Sequence, residues 1–186
     1  SGFTPIGNGS TFTGMFDGLG HVINGLTINL PANNGTGLFY NLNGATVRNV
    51  VVVGGGITGG SNTGALTGVA SGSVIDNVYA AVNVNGNGAG TGHVGGLVGY
   101  MSGGSISNSH TMGGVGVYNA YQIGGLVGYL DGGSISNSYA GGNVSTSVTS
   151  DGSSSSAGGL VGYVANGGSI SNSYATGSVQ GQSSLG

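Results

Sequence analysis

Gly124–Tyr139 reads GGLVGYLDGGSISNSY, and this stretch decides the fold because it recurs. Gly95–His110 reads GGLVGYMSGGSISNSH, and Gly158–Tyr174 reads GGLVGYVANGGSISNSY. Two looser copies precede them, TGLFYNLNGATVRNVV (Thr36–Val51) and TGALTGVASGSVIDNVY (Thr63–Tyr79). The starts at 36, 63, 95, 124 and 158 lie 27, 32, 29 and 34 residues apart. The motif hardly changes length; the tail after it does, as in Asn143–Ala157 with its run Ser153–Ser156. A constant motif with an elastic tail is what a solenoid requires, because per-repeat insertions fall in loops.

Within each copy the period is two, the period of a strand. Alternation over Ser105–His110 places Ile106, Asn108 and His110 on one face and Ser105, Ser107 and Ser109 on the other. The Gly-Gly pairs at 103–104, 132–133 and 167–168 separate two strand-like pieces, since glycine reaches positive φ without strain. A third β-prone piece lies in each tail, as in Val115–Tyr118 or Asn143–Thr146. Short strands repeating every 27–34 residues predict an all-β parallel β-helix of about six coils. Propeller blades, at about 40–50 residues, are longer. One domain, 1–186, is expected, with a leading coil 1–35 and repeats 36–62, 63–94, 95–123, 124–157 and 158–186. At one strand spacing per coil it would be roughly 25–30 Å long.

Stacked coils bring equivalent positions into columns. An apolar ladder runs through Val47, Ile75, Ile106, Ile135 and Ile170. An asparagine ladder runs through Asn49, Asn77, Asn108, Asn137 and Asn172, whose amides could bond along the axis and satisfy buried polar groups. An aromatic ladder holds Tyr79, His110, Tyr139 and Tyr174, with Val51 in the first coil. Leu38, Leu97, Leu126 and Leu160 form a fourth, interrupted by Ala65.

Composition narrows the function. One cation (Arg48), four acids (Asp17, Asp76, Asp131, Asp151) and no Lys or Glu make the chain 3% charged, against about 25% in a typical domain. Disorder is excluded by regularly spaced Val, Ile, Leu and Tyr at a net charge of only −3. Apolar runs such as Val50–Val53 are far below the length of a membrane helix, so no membrane insertion is expected. No basic patch exists for nucleic acid. Forty-six glycines without a Gly-X-Y period exclude collagen, and they disfavour helix throughout. Zero cysteines remove disulfides and thiolate chemistry.

The GGLVGY copies resemble the GLUG repeat of large bacterial surface proteins, including filamentous-haemagglutinin-like adhesins exported by two-partner secretion. The head Phe3–Asn29, FTPIGNGSTFTGMFDGLGHVINGLTIN, is similar to the segment that often precedes such repeats. The resemblance implies a right-handed β-helix displayed outside the cell, with roles in adhesion, aggregation or biofilm. It supplies no ligand site.

Glycosidases need two carboxylates about 5–10 Å apart. Asp17, Asp131 and Asp151 each precede glycine and read as turn residues, and Asp76 stands alone in a strand, so no enzyme is expected. His21, His93 and His110 lack ligand spacing, so neither metal nor cofactor is expected. Rows of Ser-x-Ser (Ser105/Ser107/Ser109, Ser134/Ser136/Ser138, Ser169/Ser171/Ser173) could form a flat hydroxyl face for ice, for sugar or for lateral packing. Sequons occur at Asn8, Asn34 and Asn143. The expected function is a structural or adhesive segment of an extracellular filament, with a carbohydrate-binding or polysaccharide-degrading β-helix, or an ice-binding one, as alternatives. Self-association end to end or side by side, and host or matrix glycans, are the expected partners. No polar cap is evident at Ser184-Leu185-Gly186, which fits either a piece of a longer chain or subunits stacking end to end.

Overall fold

The structure is a computed structural model, and it describes residues 2–87, 92–118, 122–148 and 156–183. Every strand pairing among these residues is parallel, and no helix occurs among them. Three sheets run along the stack. The first stacks Phe39–Asn43, Thr67–Ser71, Val98–Ser102, Val127–Asp131 and Val161–Ala165. The shortest stacks Asn62–Thr63, His93–Gly95, Gln122–Gly124 and Ser156–Gly158. The longest starts at Met15–Asp17 and Val22–Leu30, passes through Thr46–Gly59 and Val74–Gly86, and continues as three shorter strands in each later coil.

The chain is therefore a β-solenoid. Four turns, beginning at Asn62, carry strands in all three sheets. Ahead of them, the coil that holds Phe39–Asn43 and Thr46–Gly59 pairs with the short sheet only through the Thr36–Thr63 bridge. The leading segment joins the first sheet only through bridges at Ile6 and Phe12. The expected six coils are thus four full turns and two partial ones. The head lacks the GGLVGY stretch that forms the first sheet, which explains the difference.

Identical sequence stacks on itself. Ile106 sits in register with Ile75 and Ile135, Ile135 with Ile170, and Val47 with Ile75. Val47, Ile75, Ile106 and Ile135 are at most 1% exposed, whereas Ile170, in the last coil, is 41% exposed. The leucine column needs a correction. Phe39 pairs with Thr67 and Thr67 with Val98, so Leu66, not Ala65, lies between Leu38 and Leu97. An extra residue after Gly64 causes the shift, and the column is uninterrupted.

Glycine serves two purposes here. At Gly103 and Gly104 φ is +66° and +78°, the left-handed region that turns the chain between sheets. In the GGLVGY stretch the reason is close approach instead. A Cβ on Gly96 would lie 2.1 Å from the Gly125 carbonyl, and one on Gly125 the same distance from that of Gly159.

Candidate functional surface

Asparagine builds the corner of each coil. Asn49, Asn77, Asn108, Asn137 and Asn172 all have positive φ, from +46° to +55°. Asparagine tolerates this region better than other non-glycine residues. The residue projects outward, and the strand alternation fails at it. Ile106 faces in, Ser107 and Asn108 face out, and Ser109 turns back in at 0% exposure.

Two expectations are corrected by this geometry. The asparagine ladder does not satisfy buried groups, because it lies at the surface, where Asn77, Asn108, Asn137 and Asn172 are exposed. The amides do link along the axis. Asn77 Nδ2 donates to Asn49 Oδ1 at 2.8 Å, and Asn172 Nδ2 donates to Asn137 Oδ1 at 3.3 Å. The link from Asn137 to Asn108 is longer, 3.5 Å. Nor do three serines per coil share a face. Only Ser105/Ser107 and Ser134/Ser136, with their successors Ser169/Ser171, point outward, leaving two hydroxyl columns. Val74 and Asp76 occupy the rung below them.

The inward serines form a ladder that alternation concealed. Ser109 Oγ accepts the Val78 N–H, Ser138 Oγ that of Ser109, and Ser173 Oγ that of Ser138, each at 3.1 Å. Each hydroxyl in turn donates to the carbonyl two residues back in its own coil, at 2.7 Å. The left-handed asparagine breaks the backbone ladder, and the hydroxyl supplies the acceptor that a buried N–H requires. The signal available in the sequence was the serine directly after Asn108, Asn137 and Asn172.

Two aromatic columns flank the corner and the first sheet. Tyr79, His110, Tyr139 and Tyr174 stack with centroid separations of 4.6, 4.6 and 5.2 Å. The second column, Tyr100, Tyr129 and Tyr163, stacks at 5.3 Å per step, and His93 lies 5.3 and 5.0 Å from the first two rings. These tyrosines close each GGLVGY motif, and glycine spacing had drawn attention away from them. Burial holds the imidazoles of His93 and His110 below the usual histidine range.

The described carboxylates are spent on links between coils. Asp17 accepts from Arg48 Nε at 2.8 Å, Asn49 Nδ2 at 2.9 Å and the Leu19 N–H at 2.9 Å. Asp76 accepts from Ser107 Oγ at 2.6 Å and Asn108 Nδ2 at 2.8 Å. Asp131 accepts from Tyr100 Oη at 2.7 Å and from Asn166 Nδ2. These hydrogen bonds hold all three below the ordinary aspartate value, the Asn49, Ser107 and Tyr100 bonds respectively contributing most. Asp151, the other half of the conceivable Asp131 pair, lies outside the described residues, as do Ser184, Leu185 and Gly186. Among the described residues no three His, Cys, Asp or Glu side chains are grouped to hold a metal ion. His21 is exposed in the turn that precedes Val22–Leu30. Of the sequons, Asn8 is exposed in a turn, Asn34 Oδ1 accepts from Ser61 Oγ, and Asn143 Oδ1 accepts from the Ser178 N–H. No helix among the described residues is long and apolar enough to cross a membrane.

The GLUG motif matches residues 119–145 and 153–180. Halomucin of Haloquadratum walsbyi is 36% identical over 88 residues, 46% of this chain. The match spans 1% of halomucin's own length. No solved structure matches.

Proposed function

We infer that this solenoid is a rigid spacer in an extracellular or cell-surface protein, contributing to adhesion or aggregation rather than catalysis. One observation carries the reading: each described carboxylate is bonded to a neighbouring coil and none faces another across a cleft. A charge already used to fasten one coil to the next is poorly placed for acid–base work on a substrate. The chain's likeness to halomucin, a much longer protein, supports a place in a large surface assembly. The filamentous-haemagglutinin type of protein and its two-partner export route belong to the same proposal. So do biofilm formation and self-association of solenoids, side by side or end to end.

The ice-binding alternative loses support, because the outward hydroxyl face is only two serines wide and starts above Asp76 and Arg48. An in-frame deletion of the coil 124–157 tests the spacer reading. The chain displayed on a cell surface should stay folded, and cell–cell aggregation should fall as the rod shortens. Unchanged aggregation in a deletion that still folds would sink it.

A further inference from the structure

The tail strands of the long sheet carry a notch. On the Val74–Gly86 strand the outward residues are Asn83 and Asn85, and two rungs on they are Asn143 and Ser145. Between them the chain presents Gly114 and Gly116. Gly116 pairs with Asn85 on one side and Ser145 on the other, so one rung lacks side chains while both neighbours keep theirs. The result is an open, shallow depression of about 300 Å³ lined by these six residues and Val115. It is walled by carboxamides and a hydroxyl, and no charged side chain lines it.

The walls are oriented. Asn83 Oδ1 accepts the Gly114 N–H at 2.9 Å, and Asn143 Oδ1 accepts the Ser178 N–H at 2.9 Å. Each bond fixes a carboxamide while leaving its NH₂ as a donor. The notch continues at both sides. One neighbouring cavity, about 270 Å³, shares Asn85 and Gly116 and ends at Tyr118, whose ring is 54% exposed and has no stacked partner among the described residues. The other, also about 270 Å³, shares Ser145 and is lined by Thr146. Thr146 is 7% exposed, and its hydroxyl has no hydrogen-bond partner among the described residues.

We propose that this notch binds an uncharged oligosaccharide. Sugar hydroxyls both donate and accept, which suits fixed carboxamide donors beside a serine hydroxyl, and the C–H face of a pyranose suits an exposed tyrosine ring. Rings inside the ladders, such as Tyr129 and Tyr139, have both faces stacked on neighbours, so they are the poorer platform. Absence of charge in the lining selects neutral glycans over sulfated or phosphorylated ones. The site adds a ligand to the spacer proposed above but does not depend on it, because a rod of any function would carry the same notch.

The test is a titration of the ¹⁵N-labelled chain with mannotetraose, cellotetraose, chitotetraose and galactotetraose, with a sulfated heparin tetrasaccharide as the charged comparison. Saturable shifts of amides at 83–86, 114–118 and 143–146 with at least one neutral probe are expected. Gly114→Asn fills the notch without strain, since a Cβ there meets nothing closer than 3.6 Å. It should weaken binding about tenfold or more with unchanged circular dichroism and melting temperature. Tyr118→Ala should weaken it by about tenfold and serves as the second variant if Gly114→Asn disturbs the fold. No saturation by any neutral probe up to about 10 mM overturns the proposal. So does tighter binding of the sulfated probe, or undiminished affinity in both variants. The 124–157 deletion also removes Asn143 and Ser145. The spacer is therefore tested apart by aggregation of Gly114→Asn, which should be unchanged where glycan binding is lost, so either reading can fail alone.

Discussion

Removing one hydroxyl tests the inward serine ladder. Ser138 is 1% exposed; its Oγ accepts the Ser109 N–H at 3.1 Å and donates to the Ser136 carbonyl at 2.7 Å. In Ser138→Ala the Ser136 carbonyl is not orphaned, because it also accepts the Asn108 N–H at 3.2 Å. The Ser109 N–H is orphaned in a residue that is 0% exposed. A buried donor left unpaired costs about 1–3 kcal/mol, so a loss of about 2 kcal/mol is expected. For a chain of this size that corresponds to a fall of about 4–8 °C in melting temperature. Amide exchange at Ser109, followed by NMR under native conditions, should accelerate by roughly 30-fold. Ser136→Ala, two residues away but facing outward, should stay within about 0.5 kcal/mol. Equal stability of the two variants, with Ser109 exchange unchanged, would refute the role assigned to the ladder.

The other expectations concern the corner, the core and the titrating groups. Asn137→Gly should be nearly neutral in urea unfolding, whereas Asn137→Ala should lose about 1–2 kcal/mol, since alanine is strained at φ +49°. Gly125→Ala drives a methyl onto the Gly159 carbonyl and should cost about 3 kcal/mol or prevent folding, read by soluble yield and circular dichroism. Ile135→Ala, at a side chain 1% exposed, should cost about 2–5 kcal/mol in the same assay. Stability should fall in two stages on acidification. His93 and His110 are held below their ordinary 6.5, so the unfolded chain takes up protons first, and stability present above about pH 6.5 declines beneath it. The aspartates are held below 3.8, so their contribution is present above that value and is lost at lower pH. His93→Gln combined with His110→Tyr should remove the upper stage from a pH series of melting curves, and an unchanged upper stage would rule out the histidines as its source.

Much of the stack was legible because repetition exposes register directly. Once three copies of GGSISNSY or its variant align, Ile106, Ile135 and Ile170 must fall in one column, and the structure places each in register with the next. What escaped was the backbone between repeats of the pattern. Alternation assumes an unbroken strand, but Asn108 and its equivalents adopt left-handed φ, so the residue after each asparagine faces the interior. That single reversal moved Ser109, Ser138 and Ser173 from the surface to the core and sent the asparagines outward. The Tyr100–Tyr129–Tyr163 column was hidden for another reason: glycines surround it, Gly99 and Gly128 within strands and Gly96 and Gly125 at the bend between two sheets, all where neighbouring backbones leave no room for a Cβ. The coil count was read too high because the head, Phe3–Asn29, pairs in the long sheet without supplying a strand to the other two. The notch at Gly114 and Gly116 required the pairing register, since only Asn85 and Ser145 on either side give those glycines meaning.

The central claim is that successive GGSISNSY coils lie in parallel register, one strand spacing apart. The chain contains no cysteine, so paired cysteines report on it without interference. Ser107 and Ser136 are register partners, and so are Ser136 and Ser171. One strand spacing of about 4.8 Å lies within disulfide reach, about 4.4–6.8 Å between Cα atoms, and two spacings lie beyond it. Under mild oxidation the Ser107→Cys/Ser136→Cys and Ser136→Cys/Ser171→Cys chains should cross-link within the monomer, and Ser107→Cys/Ser171→Cys should not. Efficient closure of the 107–171 pair, or failure of both adjacent pairs, would contradict the stack.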